Sequence, residues 1–381
     1  MRLKSITKLC ISFLLASFCS LSFAAEPMLN GMAVHVDLGK EQFIGALYST
    51  PLSDNADKLL ANTQPMRMVL KIVSPDGVTT RRFSRWWIEG MAINNSAALL
   101  TEQADNMVKF DGLFKGRFAP NDTVAFISEP GKGVNITIND VLLGNIANDK
   151  FFSMLLRTWI GKVPLSSDYK DGILKNGNVS AELKGRFDKI KPSKERTTEV
   201  AGWSKIKSAA DLAAEKEKEA KEAAAKSSSS SSVDSAKQLA AQKAEQAKAE
   251  AAKLAAQKAA TPAVAAAATN DDDDEKPALT AQTLLARQFY VSDQLKKVYA
   301  NVRYPKKALE KGQTGSVRLT IVINRQGNIV STNIAQASEF EVLNEAALEA
   351  VSKTTFTAIP DAITGSTFEF NAPLRFTLQQ K

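Results

Sequence analysis

The chain has very little of the residues that do redox and metal chemistry. Its 381 residues include two cysteines, Cys10 and Cys19, and one histidine, His35. Both cysteines fall in an N-terminal stretch that reads as a secretory signal peptide. Arg2, Lys4 and Lys8 precede an apolar run from Leu9 to Phe23, and Ser22 and Ala24 supply small residues before Glu26. Cleavage after Ala24 leaves a chain without cysteine, which excludes disulfides, thiol catalysis and cysteine-held metals. A single histidine suggests no Ser/His/Asp arrangement and has no second imidazole to share a metal. Gly131-Lys132-Gly133 serves a hairpin turn, not a phosphate cradle. The expectation is no cofactor, no metal site and no catalytic residue.

Long apolar runs are missing too. The N-terminal run is shorter than the roughly 20 residues that hydrocarbon demands, and no other segment is long and apolar enough to cross a membrane. Export to the periplasm is therefore expected; the alternative is an uncleaved inner-membrane anchor. The formal charge of +8 falls to +5 without the three signal cations, too dilute to argue for a nucleic-acid partner.

A third absence divides the chain. Between Lys207 and Ala268 there is no aromatic residue and no glycine, and Ala, Lys, Glu, Gln and Ser dominate. Ala209–Lys226 and Val233–Ala260 consist of strong helix formers with alternating Glu and Lys. The six serines Ser227–Ser232 separate them as a joint, and Asp271–Asp274 is a solvated acid run. As helices the two tracts would extend roughly 70 Å, which makes a spacer. The predicted organisation is a signal peptide over 1–24, a globular domain over 26–203, a linker over 204–283 and a second globular domain over 284–381.

In the first globular region, Gln42–Tyr48 and Met66–Val73 read as strands. Ser74-Pro75-Asp76-Gly77 is a turn that returns Val78–Phe83 as an antiparallel strand. Ser96–Phe114 has helical spacing. Thr123–Ser128, Val134–Ile138 and Leu142–Ile146 form successive hairpins, and Asn148-Asp149 caps a helix over Phe151–Ile160. The sum is α+β, an antiparallel sheet packed with helices. Trp86, Trp87 and Trp159 read as core. In the second region Pro305 opens a short helix, and Val317, Leu319, Ile321 and Ile323 form the buried face of a strand. Arg318, Thr320 and Asn324 lie on the wet face. Arg325-Gln326-Gly327 turns into Asn328–Ile334. Leu343, Ala346, Ala347, Ala350 and Val351 line one side of a helix, and Phe368–Leu378 is a last strand. This predicts a small α+β unit with a three-stranded antiparallel sheet.

Two resemblances follow from these residues. The run from Gly131 to Pro164 (GKGVNITINDVLLGNIANDKFFSMLLRTWIGKVP), with the FIGALY strand and Arg81-Arg82-Phe83, resembles the bacterial chalcone isomerase-like proteins over about Met32–Leu174. The enzymes of that family use an arginine on an early strand and a threonine near the strand resembling FIGALY. This chain has Phe43 there and no arginine between the cleavage site and Arg67. The resemblance implies a retained fold without isomerase activity, and relatives that bind fatty acids suggest Arg67, Arg81, Arg82 or Arg157 as partners for a carboxylate. Chalcone isomerase-type lyase activity is the alternative. From Val298 to Leu378, Tyr304, Pro305, Ala308, Gly315, Val317, Gly327, Val330, Ala347, Val351, Phe356 and Pro360 resemble the TonB C-terminal domain. That resemblance implies β-augmentation by an extended segment of an envelope protein, such as an outer-membrane transporter's N-terminal segment. The residues expected to meet it are Asn301, Val302, Arg303, Tyr304, Pro373, Leu374, Arg375 and Phe376. The spacer resembles the Ala/Lys-rich helix of TolA. With an uncleaved anchor the chain would be a TonB-type energy transducer; without one it is a periplasmic adaptor.

Overall fold

A computed structural model describes residues 26–203 and 279–378. The expected signal peptide and nearly all of the expected linker, with its two helices, serine joint and acid run, lie outside the described residues.

The N-terminal unit runs β1 (Met28–Asp37), β2 (Lys40–Ser49), α1 (Ala56–Leu60), β3 (Met66–Ile72), α2 (Thr80–Asn94), α3 (Ala97–Glu102), α4 (Ala104–Gly112), β4 (Thr123–Glu129), β5 (Gly133–Ile138), β6 (Val141–Ile146), α5 (Asp149–Ile160), α6 (Ser167–Ile173), α7 (Ala181–Lys189) and α8 (Lys194–Trp203). The six strands lie in chain order, and every neighbouring pair is antiparallel. Asn139 and Asp140 both have positive φ, 53° and 65°, as a tight turn between twisted strands requires. Asn139 fixes this turn by accepting from the Thr123 amide and donating to Asp122, each at 2.8 Å.

One face of this sheet packs on α2, α4 and α5 through an aromatic core. Phe83, Phe110, Phe118, Phe126, Phe151, Trp87 and Trp159 are all buried there, with ring centroids 4.9–6.5 Å apart where they touch. The opposite face buries Met32, Ile44, Ala46, Val69 and Ala125 under Phe187 of α7. Lys71 Nζ lies over the Phe187 ring and donates to the carbonyls of Phe187 and Ile190, which anchors α7.

The expected return strand Val78–Phe83 does not form. Val78 makes one antiparallel bridge to Phe118, and the chain then enters α2. Thr79 is the reason: its hydroxyl accepts from the Arg82 amide at 3.1 Å and starts a helix. Phe83, Trp87 and Met91 then follow at helical spacing and enter the core. Strand β1 and helices α6–α8 were not expected from the sequence pattern.

The C-terminal unit comprises α9 (Ala281–Asn301), α10 (Lys306–Glu310), β7 (Gly315–Asn324), β8 (Ile329–Gln336), α11 (Glu341–Ser352) and β9 (Thr367–Phe376). The sheet order is β8-β7-β9, all antiparallel, with α11 packed on one face. Both units are α+β, as their patterns predict. Helix α9 belongs to two cores. Leu284, with Leu279 just before the helix, packs into the aromatic core of the N-terminal unit; Tyr290, Val291, Leu295 and Val298 pack into the C-terminal core.

Candidate functional site

The expected wet face of β7 is not wet where Arg318 stands. Its side chain is 3% exposed and passes into the N-terminal unit. There it donates to the carbonyls of Leu165 (3.0 Å) and Val36 (2.6 Å) and to Asp37 Oδ1 (3.1 Å). The other Asp37 oxygen accepts from Trp86 Nε1 at 3.3 Å. On β9, Asn371 donates to Glu89 of α2 at 2.9 Å and accepts from Thr320 at 2.9 Å. Arg85 of α2 pairs with Glu369 at 2.5 Å. The β1–β2 turn contributes too, because the Leu38 amide donates to the Ala335 carbonyl at the end of β8. The polar face of the small sheet is thus a seam between two units. Charged side chains survive there because nearly every one meets an opposite charge or a carbonyl.

Two titratable groups near the seam are strongly perturbed. Burial pushes the Glu89 carboxyl up to about 8; Arg85 and the Asn371 hydrogen bond oppose this without overcoming it. Burial, aided by Arg318, pulls His35 down to about 3, so its imidazole is neutral. His35 faces Phe43 across the β1/β2 register and stacks on it at 4.7 Å. Trp86 and Tyr169 stand edge-on to it at 4.9 and 5.9 Å. Both His35 ring nitrogens and the Tyr169 hydroxyl are buried without a hydrogen-bond partner among the described residues. Gly45 makes room for this cluster, since a Cβ there would lie 1.7 Å from the Tyr169 oxygen.

The residues expected to bind a partner lie on two segments, the end of α9 with the turn after it and the end of β9, which meet where Tyr304 packs on Phe376. Asn301 closes α9, and its side chain holds Lys297 O and Thr354 Oγ1, so it acts as a helix terminus and not as an edge strand. Val302 follows as the C-cap, and Arg303 donates to the carbonyls of Ala300 and Val302. Tyr304 donates to the Gln313 carbonyl and sets its ring edge-on to Phe376 at 5.8 Å. Leu374 and Phe376 point into the C-terminal core, while Arg375 is exposed. Pro373, Leu374 and Arg375 line a cleft of about 220 Å³ at the seam, together with Lys162, Ser316 and Tyr299. The Tyr299 hydroxyl is buried there without a hydrogen-bond partner among the described residues.

The four arginines named as carboxylate partners do not converge. Arg67 is exposed on β3 and stacks on Tyr48 at 4.4 Å. Arg82 lies in the first turn of α2, and Arg157 in the last turn of α5. Only Arg81 lines the larger cleft of the seam. Sequence reasoning missed Asp37, Arg85, Glu89, Glu369 and Asn371 altogether. The one available signal was Glu89 itself, an acid inside the apolar stretch Trp86–Ile93.

Comparison with known families assigns both units. Residues 24–175 match the chalcone isomerase-like family, and residues 300–378 match the Gram-negative bacterial TonB protein C-terminal family. The chain joins a chalcone isomerase-like domain to a TonB C-terminal domain. Among solved structures it is similar to a fatty-acid binding protein of Arabidopsis thaliana (16% identity, 39% of this chain and 87% of that one, TM-score 0.32). The C-terminal domain of Helicobacter pylori TonB aligns at 22% identity over 31% of this chain and all of that one, with a TM-score of 0.21. The HasB C-terminal domain aligns at 22% identity over 32% of this chain and 92% of that one, with a TM-score of 0.20. No curated protein matches the chain. The chalcone isomerase-like domain supplies α2 and Asp37 to the seam, and the TonB C-terminal domain supplies β7 and β9.

Proposed function

We propose that this is a periplasmic envelope protein whose TonB C-terminal domain pairs with an extended segment of an envelope partner, such as an outer-membrane transporter's N-terminal segment. The observation that carries this reading is the state of β9. It is an edge strand, and its backbone bonds among the described residues run only to β7. The opposite edge, β8, already receives the Leu38 amide. Pro373 fits an edge position, where a missing amide hydrogen costs no ladder bond. An added strand along β9 would gain main-chain bonds, with side-chain selection by the cleft beside Pro373–Arg375. Tyr304 packs on Phe376 at that end of the strand, and Asn301, Val302 and Arg303, which precede it, are read as part of the same partner surface.

The chalcone isomerase-like domain is read as a non-catalytic module that holds a ligand or partner, a fatty acid or another apolar molecule being the candidate ligand. Where the family's enzymes stabilise an oxyanion with charge, this chain sets a neutral imidazole against the Phe43 ring. The unpartnered His35 and Tyr169 polar atoms offer an uncharged polar contact inside the layer.

Photo-cross-linking in whole cells tests the pairing. Probes at Arg375 and Arg303 should capture a transporter's N-terminal segment, and a probe at Asn333 on β8 should not. Capture from Asn333 alone would move the partner to the other edge and overturn the assignment to β9. Turnover of a chalcone by the full chain would refute the non-catalytic reading.

A further inference from the structure

Helix α2 has two working faces. Phe83, Trp86, Trp87 and Met91 enter the aromatic core, whereas Arg81, Ser84, Arg85, Ile88 and Glu89 recur at the spacing of a second stripe that faces α9 and the start of β9. Between these elements lies a cleft of about 310 Å³, at the lower end of the range for small-molecule sites and at a domain interface, where such sites concentrate.

The charges in the cleft do not balance. Arg85 is engaged by Glu369, and Glu89 is held by Asn371 and keeps its proton near neutrality. Arg81 and Arg287 remain, and neither has a hydrogen bond or ion pair to an acid among the described residues. Arg287 lies over the Phe368 ring at 5.2 Å. Burial depresses the Arg287 pKa, and the nearby Arg81 and Arg85 lower it further against the opposing pull of Glu89 and Asp111, so the three guanidinium groups stand close enough to repel one another. Their repulsion in a poorly solvated cleft is what a bound anion would relieve. Ile88, Leu279, Val291 and Phe368 form the apolar part of the wall, and Ser84 and the segment Thr364–Thr367 complete it.

We infer that this cleft binds a small amphipathic anion, its acidic head group bridging Arg81 and Arg287 and its apolar body lying on Ile88, Val291 and Phe368. Guanidinium pairs suit the two oxygens of a carboxylate or phosphate head, and the apolar wall excludes a bare inorganic ion as the preferred occupant. The site lies outside the layer between the six-stranded sheet and its helices. Because Arg81 belongs to one domain and Arg287 to the helix that joins both cores, the ligand would bind only the docked arrangement and stabilise it. None of this requires partner pairing at β9, so either reading can fail without the other.

Calorimetric titration of the full chain with octanoate, octyl phosphate, octanol and inorganic phosphate tests the inference. One or both of the octyl anions should bind at one site and raise the thermal midpoint, and comparing the two distinguishes a carboxylate from a phosphate head. Octanol and inorganic phosphate should each bind at least about tenfold more weakly, the loss expected for a missing charge-assisted contact or apolar body. Arg81→Gln and Arg287→Gln should each weaken the octyl anion about tenfold or more, while Arg186→Gln, outside the cleft, should leave it unchanged. A measurement that needs no variant guards against misfolding: the bound anion should protect Arg81 and Arg287 of the unaltered chain from phenylglyoxal. Octanol binding as tightly as the anions, or unprotected Arg81 and Arg287 at saturation, would overturn the inference.

Discussion

The two sheets of this protein each have a second face to cover, and they cover it by opposite chemistry. The six-stranded sheet closes its back with apolar contacts: Phe187 of α7 sits on Ile44, Ala46 and Val69. The three-stranded sheet closes its polar face with another domain, through Arg318, Thr320, Glu369 and Asn371. The first cover is non-directional and tolerates repacking. The second is directional, because each buried charge depends on specific partners and becomes costly when they go. A local lid can therefore be apolar, while a seam between two domains carries polar groups that fix one docking geometry.

The sharpest way to break this comparison is at Arg318. Arg318→Ala leaves Asp37 buried with only Trp86 as a donor, and should lower unfolding free energy by about 3–5 kcal/mol in a urea titration. The double variant Arg318→Met/Asp37→Leu removes both charges and should recover most of that loss. If it does not, the seam needs its charges for more than mutual compensation. On the other sheet, Phe187→Ala should cost about 3 kcal/mol, chiefly by loss of burial with a smaller share from the Lys71 contact on its ring.

The pH dependence of stability reads the seam directly. Native Glu89 keeps its proton to about pH 8, whereas an unfolded glutamate releases it near 4.5. The native state binds more protons in that window, so this contribution is complete below 4.5 and declines as pH rises, by about 1.4 kcal/mol per pH unit. His35 acts in the other direction. Its native imidazole is protonated only near pH 3, against 6.5 when unfolded, so its contribution is complete above 6.5 and is lost as pH falls. The two slopes oppose each other between 4.5 and 6.5. A stability plateau is expected there, with a decline from 6.5 to 8 that Glu89→Gln removes and a separate decline below 4.5 that it does not. Arg85, Glu369 and Asn371 face Glu89 and are unchanged by that substitution. The smallest effect should come from Arg186→Ala. Its pair with Glu41 also ties α7 to β2, but both partners are about half exposed, and less than about 1 kcal/mol should be lost.

Much of the fold was legible along the chain. Val317, Leu319, Ile321 and Ile323 alternate as a half-buried strand must, and Asn148 and Gly161 bracket α5. The β-branched run Val78-Thr79-Thr80 reads as a strand, whereas in the fold the Thr79 hydroxyl caps α2 by accepting from the Arg82 amide. The residues expected to meet a partner fall on β9 and on the segment that follows α9, with Tyr304 against Phe376, while Asn301 ends a helix. The seam was not legible. Arg318 has the same place in the alternation whether it meets water or Asp37, 281 residues away.

What the sequence by itself determined was the identity of each unit: local periodicity, caps and turns act within a few residues and set most of the strands and the helices α3, α4, α5, α10 and α11. What only the tertiary structure decided was how the units meet. The polar face of the small sheet becomes an interface because helix α9 threads from one core into the other and brings α2 against β9. Docking of that kind depends on contacts between residues far apart in the chain, and no local pattern encodes whether a polar face ends in solvent or against a complementary charge.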